Sequence, residues 1–358
     1  MLYAVIAILL FGFLIAVHEF GHFVTAKLSG VHVNEFAIGM GPVLWQKQGK
    51  AETVYSLRAF PIGGFCALEG EDAEEETSDP HAFGNQSFIK QFIILIAGSA
   101  MNFLTGLVLM VLLLSQNWGF YVPVIGDLFE GFPLESEQGL MEGDRILFVN
   151  GDRVFTYSEM VTFLQRAEGE PMDIVVQRNG EKVHLNDLPL ARREYVIDGQ
   201  TMYKFGITPV IEEATPTIVL RESLYNTIEF ARLVWLSLGE LVSGSAGLED
   251  MSGPIGIVET VTEVGQQAED RGGISAGIRT VVYFLAFIAV NLAVMNLLPI
   301  PALDGGRIFF LMVGLIYRLF TGQKLDPKYE SFINTAGFIA LLALMAIIAF
   351  NDIAHLVG

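Results

Sequence analysis

An apolar run long enough to cross a membrane ends in ionisable side chains, and this feature constrains the fold more than any other. Residues 2–17 are apolar without a break, and His18, Glu19 and His22 follow directly. A helix needs about 20 apolar residues to span a bilayer core. Ionisable groups within such a helix are costly and usually mark a functional site. The start of the chain therefore predicts a transmembrane helix that carries a site.

The spacing of the two histidines indicates what kind of site this is. His18 and His22 lie one helical turn apart, so a helix places both imidazoles on one face, where they can share a ligand. Imidazole is a common ligand of zinc. In this pattern Glu19 is the base that takes a proton from a zinc-bound water. The alternative is a chance pattern on a surface helix, and the apolar surroundings argue against it.

A catalytic zinc usually has three protein ligands, so a third must come from elsewhere. Asp304 follows the third apolar run directly, and the prolines and glycines around it break the helix there. On the residues alone, two roles stay open for Asp304: zinc ligand, or N-cap of a helix that begins near Arg307. Four other histidines are weaker candidates: His32, His81, His184 and His355.

The composition supports a membrane protein and excludes several classes. Of the 358 residues 52% are hydrophobic and only 17% charged, against about 25% charged in soluble domains. The net charge of −19 excludes a nucleic-acid partner, which requires a basic surface. The single cysteine, Cys66, excludes an internal disulfide and a thiolate zinc cluster. The acidic run over residues 69–79 predicts a solvated loop.

Four apolar runs predict a polytopic α-helical membrane protein, with spans at residues 2–26, 88–114, 276–298 and 334–353. A further apolar piece, residues 308–320, is too short to cross alone, so it either lies at the interface or extends the third span. Lysines and arginines concentrate in the connections after spans one and three. The positive-inside rule then places both connections in the cytoplasm and both termini outside.

The residues between spans one and two have β-strand character. Aromatic and β-branched residues surround a Pro-Ile-Gly-Gly turn, which predicts a β-hairpin over residues 53–68. It is too apolar for a free loop, and non-helical backbone at membrane depth must be covered by protein or face a water-filled cavity. A re-entrant hairpin satisfies this condition. Residues 39–42, Gly-Met-Gly-Pro, predict a second turn.

The remaining chain divides into two parts. Residues 118–209 predict a compact α+β domain outside the membrane, with a helix at 158–166 and turns at Asn150-Gly151 and Asn179-Gly180. Residues 210–275 predict an amphipathic interfacial helix over 216–242 followed by a linker. The break at residues 252–256 is interpreted as that linker, with a functional gate as the alternative. The membrane core thus comprises residues 1–115 and 276–358.

Three motifs together resemble the site-2 protease family of intramembrane zinc metalloproteases. They are HEFGH at 18–22, PIGGF at 61–65 and NLLPIPALDGG at 296–306. The bacterial sigma-factor-activating branch is the most similar, and GDRILFVNG at 143–151 resembles a PDZ signature, which that branch carries between its second and third spans. The resemblance implies one Zn²⁺ ion held by His18, His22 and Asp304, with Glu19 as the catalytic residue.

The resemblance also implies a substrate site and a location. Asn291 and Asn296 match asparagines that help to position the substrate, and Pro61, Gly63 and Gly64 belong to the sheet on which an unwound substrate is laid. Expected substrates are single-span membrane proteins such as anti-sigma factors or signal-peptide remnants. The expected location is the bacterial plasma membrane, with the PDZ-like domain outside, where it can bind peptide C-termini, and the active site toward the cytoplasm.

Two functions of other classes compete with this interpretation. A membrane metal transporter or sensor would use the same histidine pair, but it requires polar residues along a path through the bilayer, and the outer halves of spans one, two and four contain few. A PDZ-bearing adaptor without catalysis is opposed by the intact HExxH motif. The predicted activity is therefore zinc-dependent endopeptidase chemistry inside the lipid bilayer.

Overall fold

The computed structural model describes residues 2–49, 53–71, 78–197, 199–245, 247, 253–323 and 326–357. The chain forms two compact units, a membrane unit of Met1–Leu109 with Phe230–Gly358, and a β-rich unit of Met110–Glu229. Four helices have the length and hydropathy to cross a membrane: Leu2–Ser29, Phe88–Leu114, Ile274–Asn296 and, within the last helix, Lys328–Phe350. The four predicted runs are thus confirmed as helices, and the protein is a multi-pass membrane protein.

Helix α1 (Leu2–Ser29) is the centre of the membrane unit. It has no proline and ends at Gly30, whose positive φ of 78° suits the left-handed residue that closes many helices. Its buried residues pack on helices α5 (Pro254–Gly272) and α6 (Ile274–Asn296), through Tyr3 and Ala7. On another side Gly21 approaches helix α2 (Phe88–Leu114) so closely that a Cβ would lie 2.4 Å from the Ala97 carbonyl oxygen. Small residues thus bring α1 and α2 together.

Strands β1 (Val33–Gln48) and β2 (Val54–Leu68) form the sheet that follows α1. The hairpin expected within residues 53–68 is wrong in its pairing, because both halves of β2 pair with β1 and not with each other. Ser56 has Ala37 and Gln46 as Cα partners, so β1 itself reverses between them. Gly39 and Gly41, both at φ 84°, permit this reversal, which confirms the predicted turn at 39–42.

This arrangement leaves one flank of β2 free. Residues 35–38 have partners on both sides, at 64–67 and at 54–57. Residues 64–68 pair with β1 alone, so among the described strands they form an edge of the sheet. Pro61 lies against α1, where a Cβ on Gly12 would come 1.9 Å from its carbonyl oxygen. A buried cluster fixes the sheet on the helices: Ala26, Val31, Val33, Cys66, Leu68 and Ile94.

A sharp turn separates α6 from helix α7 (Asp304–Thr321). Residues 308–320 therefore belong to α7, and the expectation that they extend the third span is wrong. Ala302 adopts a positive φ of 71° in the turn. Gly305 and Gly306 pack so tightly that a Cβ on either would lie 2.2–2.3 Å from carbonyl oxygens of the turn. Helix α8 (Pro327–Val357) follows, and its Gly337 contacts Pro301 of the same turn.

Residues 210–275 contain two helices where the sequence predicted one. Helix α4 (Pro216–Ser243) matches the predicted amphipathic helix. Within the expected linker, however, α5 begins at Pro254, and its Ile257, Val258 and Val261 pack on α1 and α6. The linker prediction is therefore wrong from Gly253 onward; Ser252 lies outside the described residues. The cause is long-range: the Asp352 carboxylate accepts bonds from the backbone N–H of Gly253 and Gly256 at 3.2 and 3.0 Å and caps α5.

The β-rich unit contains the predicted α+β fold. Strands β3 (Gly119–Leu128), β4 (Arg145–Val149), β6 (Met172–Arg178), β7 (Glu181–Leu188) and β10 (Ile207–Glu213) form one sheet in the order β10-β3-β4-β6-β7, with β5 (Asp152–Arg153) on β4. Strands β8 (Arg193–Ile197) and β9 (Gln200–Lys204) form a separate ribbon. Helix α3 (Tyr157–Arg166) matches the predicted helix, and Thr156 and Glu159 form a capping box at its start.

The two predicted turns of this unit are confirmed. Asn150 and Asn179 have φ of 49° and 52°, and the glycine after each has a φ of 87°. Two consecutive residues with positive φ define the tight hairpin turn that Asn-Gly favours. The turns join β4 to β5 and β6 to β7.

Candidate metal centre

Three side chains from two distant elements meet in the membrane unit. The Nε2 atoms of His18 and His22 lie 3.1 Å apart. The Oδ2 atom of Asp304 lies 3.1 Å from the Nε2 of His18 and 3.3 Å from that of His22. Both imidazoles are buried, each with 8% of its surface exposed. The sequence-predicted ligand candidates are thus brought together, and they form a metal-binding group of one carboxylate and two imidazoles.

The backbone around Asp304 decides between its two predicted roles. Asp304 is the first residue of α7, the N-cap position is Leu303, and no side-chain cap bond is present there. The proposed N-cap role is therefore wrong. The turn between α6 and α7 brings the carboxylate back toward α1, and Gly305 permits the close contact with Leu298 that this turn requires.

The arrangement fits a tetrahedral zinc ion. With Zn–N and Zn–O distances of about 2.0–2.1 Å, two ligand atoms of a tetrahedron lie about 3.3 Å apart, and the three observed separations are 3.1, 3.1 and 3.3 Å. The Oδ2 of Asp304 is buried and makes no hydrogen bond with a described group. A buried carboxylate oxygen without a partner is costly, and a cation shared with the two ring nitrogens removes that cost.

A glycine on α2 keeps this space open. A Cβ on Gly98 would lie 2.3 Å from the Nε2 of His22 and 2.7 Å from the Nε2 of His18. These distances are close to metal–ligand distances, so a methyl group at this position would fill the volume that an ion bound to both nitrogens requires. Gly98 was not predicted from the sequence as part of the site. Its position one turn before Asn102, on the same face of an apolar helix, was the available signal.

The second ring nitrogen of each histidine has a partner from α2. The Nδ1 of His22 lies 2.8 Å from the carbonyl oxygen of Ile94, which can only accept, so Nδ1 carries the proton and Nε2 is free to bind a metal. The Nδ1 of His18 lies near two carboxamides, those of Asn102 at 3.5 Å and Asn296 at 3.4 Å. The contact of Asn102 with a ligand histidine was not predicted from the sequence.

A cavity of about 570 Å³ opens beside the three ligand atoms. Glu19, His22 and Asp304 line it, together with residues 65–68 of β2. The predicted base and the predicted ligands thus face one volume, and the free edge of the sheet forms one of its walls. The cavity is large enough for several water molecules, which occupy about 30 Å³ each.

An ion pair lines the same cavity. Arg307 of α7 bonds to the carboxylate of Glu71, which follows β2. Burial disfavours the charged guanidinium, but the carboxylate of Glu71 outweighs it and raises the pKa of Arg307 above its usual value. Arg307 therefore stays charged one turn after Asp304. The sequence predicted Glu71 within a solvated acidic loop and indicated no role for Arg307 in the site. Residues 72–77 of that loop lie outside the described residues.

The predicted substrate-binding residues occupy several places. Asn296 lies at the site through its contact with His18, and Gly64 lies beside Glu19, where a Cβ would come 3.7 Å from the Glu19 Cγ. Gly63 has a φ of 98° and contacts Met40, and Pro61 contacts α1. Asn291 is half-buried on α6, and no hydrogen bond of its side chain is described.

The described rival histidines do not join the centre. His32 stacks on His81, with ring centroids 4.8 Å apart, and lies 3.0 Å from Asp79. His184 is on β7, in the β-rich unit. The side chain of His355 is not among those that the structure describes.

Comparison with known proteins identifies the family. The model of peptidase family M50 matches residues 6–344. The chain belongs to this family. A predicted zinc metalloprotease of Clostridium acetobutylicum is 37% identical over 353 residues, which cover 98% of this chain and 97% of the relative. The zinc metalloprotease RasP of Geobacillus kaustophilus is 27% identical, with coverage of 97% and 96%.

Another relative is the regulator of sigma-W protease RasP of Bacillus subtilis, 27% identical over 98% of this chain and 97% of the relative. The family is that of the site-2 proteases, as the three motifs predicted. The chain is therefore an intramembrane zinc metalloprotease, and its cofactor is Zn²⁺.

Proposed function

We propose that His18, His22 and Asp304 are the zinc ligands of this protease and that Glu19 is its general base. The reaction is hydrolysis of a peptide bond within the transmembrane segment of a single-span membrane protein. The observation that carries the assignment is the triangle of ligand atoms, with sides of 3.1, 3.1 and 3.3 Å. Three ligands leave one tetrahedral position for water or substrate, as in catalytic zinc sites.

The chemistry divides between the cofactor and the chain. When bound, zinc supplies a Lewis acid that polarises the scissile carbonyl and lowers the pKa of a bound water to about 7. Glu19 follows the first ligand on α1 and lines the cavity, so its carboxylate accepts the proton of the attacking water and delivers it to the leaving amine. The carbonyl of Ile94 holds His22 in the tautomer that binds metal through Nε2.

The free edge of β2 supports the substrate. A transmembrane helix must unwind before its amides can be attacked, and unwound backbone in lipid requires hydrogen-bond partners. Residues 64–68 offer an unpaired edge on the wall of the cavity, so an extended segment can add to the sheet beside Glu19. Gly63 and Gly64 leave room for that segment, and Asn291 and Asn296 hold it from α6. Pro61 contributes indirectly, because it fixes the sheet on α1.

The orientation and the β-rich unit complete the proposal. Basic residues in the connections after α1 and after α6 favour, by the positive-inside rule, a centre toward the cytoplasm and both termini outside, in a bacterial plasma membrane. The β-rich unit is then extracytoplasmic. Its β-strands and helix α3 are compatible with a PDZ-like domain that binds peptide C-termini or excludes bulky substrates. A metal transporter or an inactive adaptor is not favoured, since the chain belongs to a peptidase family and retains Glu19.

Replacement of Glu19 tests the proposal. In Glu19→Gln the base is lost while His18, His22 and Asp304 are untouched. We expect cleavage of a single-span substrate to fall by about 10²–10⁴-fold, while the purified protein in detergent still binds one zinc ion per chain. Glu263→Gln removes the same charge at an exposed position of α5 and should cleave normally. Full activity of Glu19→Gln would refute the role of Glu19, and loss of zinc from it would refute the division of roles.

A further inference from the structure

A histidine that binds zinc through Nε2 must carry its proton on Nδ1, and that proton requires an acceptor. In metal sites a carboxylate, a carbonyl or a water usually fills this role and fixes the ring. For His22 the acceptor is the Ile94 carbonyl, at 2.8 Å. For His18 the groups that contact Nδ1, among the described residues, are the carboxamides of Asn102 and Asn296. Of the described groups, a carboxamide oxygen is therefore the one that can accept this proton.

The two asparagines differ in burial. Asn102 is 1% exposed, and its Oδ1 is sealed from solvent without a described partner. Asn296 is only half-buried, at the end of α6. A buried amide oxygen without a partner is destabilising, because its bond to water is lost and not replaced. A half turn about the Cβ–Cγ bond of Asn102 exchanges Oδ1 and Nδ2 at nearly the same positions. It presents the unpaired oxygen to the Nδ1 proton of His18, and one bond then serves both groups.

The placement of α2 supports the same partner. Gly98 and Asn102 lie one turn apart on one face of this helix. The space beside Gly98 borders the Cε1 and Nε2 of His18, with 2.6 and 2.7 Å to a Cβ built there, while the Asn102 amide meets the Nδ1 on the far side of the ring. One helix face thus leaves room for the ion at one nitrogen of His18 and contacts the other nitrogen.

We propose that Asn102 is a positioning residue of the zinc centre, whose carboxamide oxygen accepts the Nδ1–H bond of His18 and fixes the tautomer that binds zinc. The proposal rests on the ligand set proposed above. It assigns the two amides different roles: Asn102 orients His18, and the amide of Asn296 remains available to the substrate.

Zinc affinity of the full-length protein in detergent tests this assignment, because it does not depend on cleavage. Asn102→Leu removes the acceptor at similar volume, and we expect zinc affinity, measured by competition with a chelator, to fall about 10–100-fold. Asn102→Asp keeps an oxygen in place and should retain affinity within a few-fold. Ser99→Ala, a change at an equally buried polar position on the same helix with no described partner, is the matched control and should bind like the parent.

Cobalt substitution supplies a second readout. The visible absorption of Co²⁺ reports ligand geometry, so a loosened His18 should alter the spectrum in Asn102→Leu, while Asn102→Asp and Ser99→Ala should retain it. Unchanged affinity and spectrum in Asn102→Leu would overturn the proposal. An equal loss in Asn102→Leu and Asn102→Asp would show that Asn102 acts only in packing, and would overturn it as well.

The asparagine on α6 provides the remaining comparison. Asn296→Leu should bind zinc normally and raise the KM for the substrate. A loss of zinc affinity in Asn296→Leu with none in Asn102→Leu would move the acceptor to α6 and refute our assignment. The expected loss of zinc affinity in Asn102→Leu, together with no cleavage by the parent protein, would instead refute the proposed peptidase chemistry and still support the positioning role of Asn102.

Discussion

The membrane unit and the β-rich unit differ in whether their buried polar atoms have hydrogen-bond partners. Among the described residues, unpaired ones occur in the membrane unit and not in the β-rich unit. In the β-rich unit, Asp144 is fully buried, and Arg178 binds both of its carboxylate oxygens, at 2.8 and 2.7 Å. Glu229 is buried too, and the Thr156 hydroxyl donates to it at 2.7 Å. Within the described residues, all seven buried side-chain N or O atoms without a partner belong to the membrane unit.

This contrast separates structural polar groups from functional ones. An unpaired polar atom costs more in a lipid-covered interior than in a soluble domain, since water cannot reach it. Unpaired atoms should therefore be rarest in the membrane unit if stability alone governed their placement. Instead the Oδ2 of Asp304 and the Oδ1 of Asn102 are both within the metal centre or next to it. The pairing of Asp144 and Glu229 stabilises the fold, whereas the unpaired oxygens of Asp304 and Asn102 lie where a metal ion and its histidine ligand require them.

The largest effect on zinc binding and cleavage is expected at Gly98, where the contrast is sharpest. In Gly98→Ala the new methyl group would lie 2.3 Å from the Nε2 of His22. Overpacking costs up to about 3 kcal/mol, which corresponds to roughly a hundredfold weaker zinc binding. Cleavage should be lost with the zinc. Zinc content of the purified protein and cleavage of a single-span substrate measure both effects.

Two other glycines control for helix packing. A Cβ on Gly106 of α2 would lie 2.6 Å from the Cγ2 of Val290, so Gly106→Ala should destabilise the packing of α2 on α6 and still permit zinc binding. Gly314 of α7 has open space around it, and Gly314→Ala should be tolerated. If Gly98→Ala retained zinc while Gly106→Ala lost it, the prediction that the zinc ion occupies the space next to Gly98 would be refuted.

The second effect is a loss of stability without a change in zinc binding, and it is expected at the buried ion pair of the β-rich unit. Arg178→Leu leaves the carboxylate of Asp144 buried without its partner, which costs about 3–5 kcal/mol. The double variant with Asp144→Leu should recover part of this loss, because both charges are then absent. Hydrogen exchange over residues 119–213 measures the stability. Zinc content should be unchanged. A loss of zinc in Arg178→Leu would contradict the conclusion that the buried polar groups of the β-rich unit serve stability and not metal binding.

The smallest effect is expected at Asp352, a paired carboxylate within the membrane unit. Asp352→Ala removes the acceptor for the N–H groups of Gly253 and Gly256. Loss of a cap costs about 1–2 kcal/mol, so amide exchange should increase at the start of α5. Asp352→Asn keeps one acceptor oxygen and should lose less. Zinc binding should not change in either variant, since this carboxylate is a structural one.

Local patterns predicted much of the fold. The four apolar runs became helices because backbone in lipid must satisfy its own hydrogen bonds. Both Asn-Gly pairs formed tight turns, because their residues tolerate positive φ. The errors came from long-range contacts. Both halves of β2 pair with the preceding strand β1 and not with each other, and the cap of α5 lies 99 residues away, on α8.

The candidate site shows the same division between features that local patterns predict and features that long-range contacts decide. The spacing of His18, Glu19 and His22 on an apolar helix was sufficient to predict a metal site, because helix periodicity is a local property. The role of Asp304 stayed open on the residues alone, since a carboxylate at the start of a helix can either cap that helix or turn away from it and bind a metal. Gly98 was not found, because a glycine has no functional group, and its effect lies in the space that it leaves to residues of another helix.

The sequence by itself determined that this chain spans a membrane and carries two imidazoles on one face of its first helix. Length, hydropathy and periodicity are properties of consecutive residues, so they can be read without the fold. Only the tertiary structure decided that Asp304 completes the triangle, that α2 leaves a methyl-sized gap there, and that residues 64–68 offer a free edge. The physical reason is that a metal centre depends on distances between atoms far apart in the chain, and packing, rather than local preference, fixes those distances.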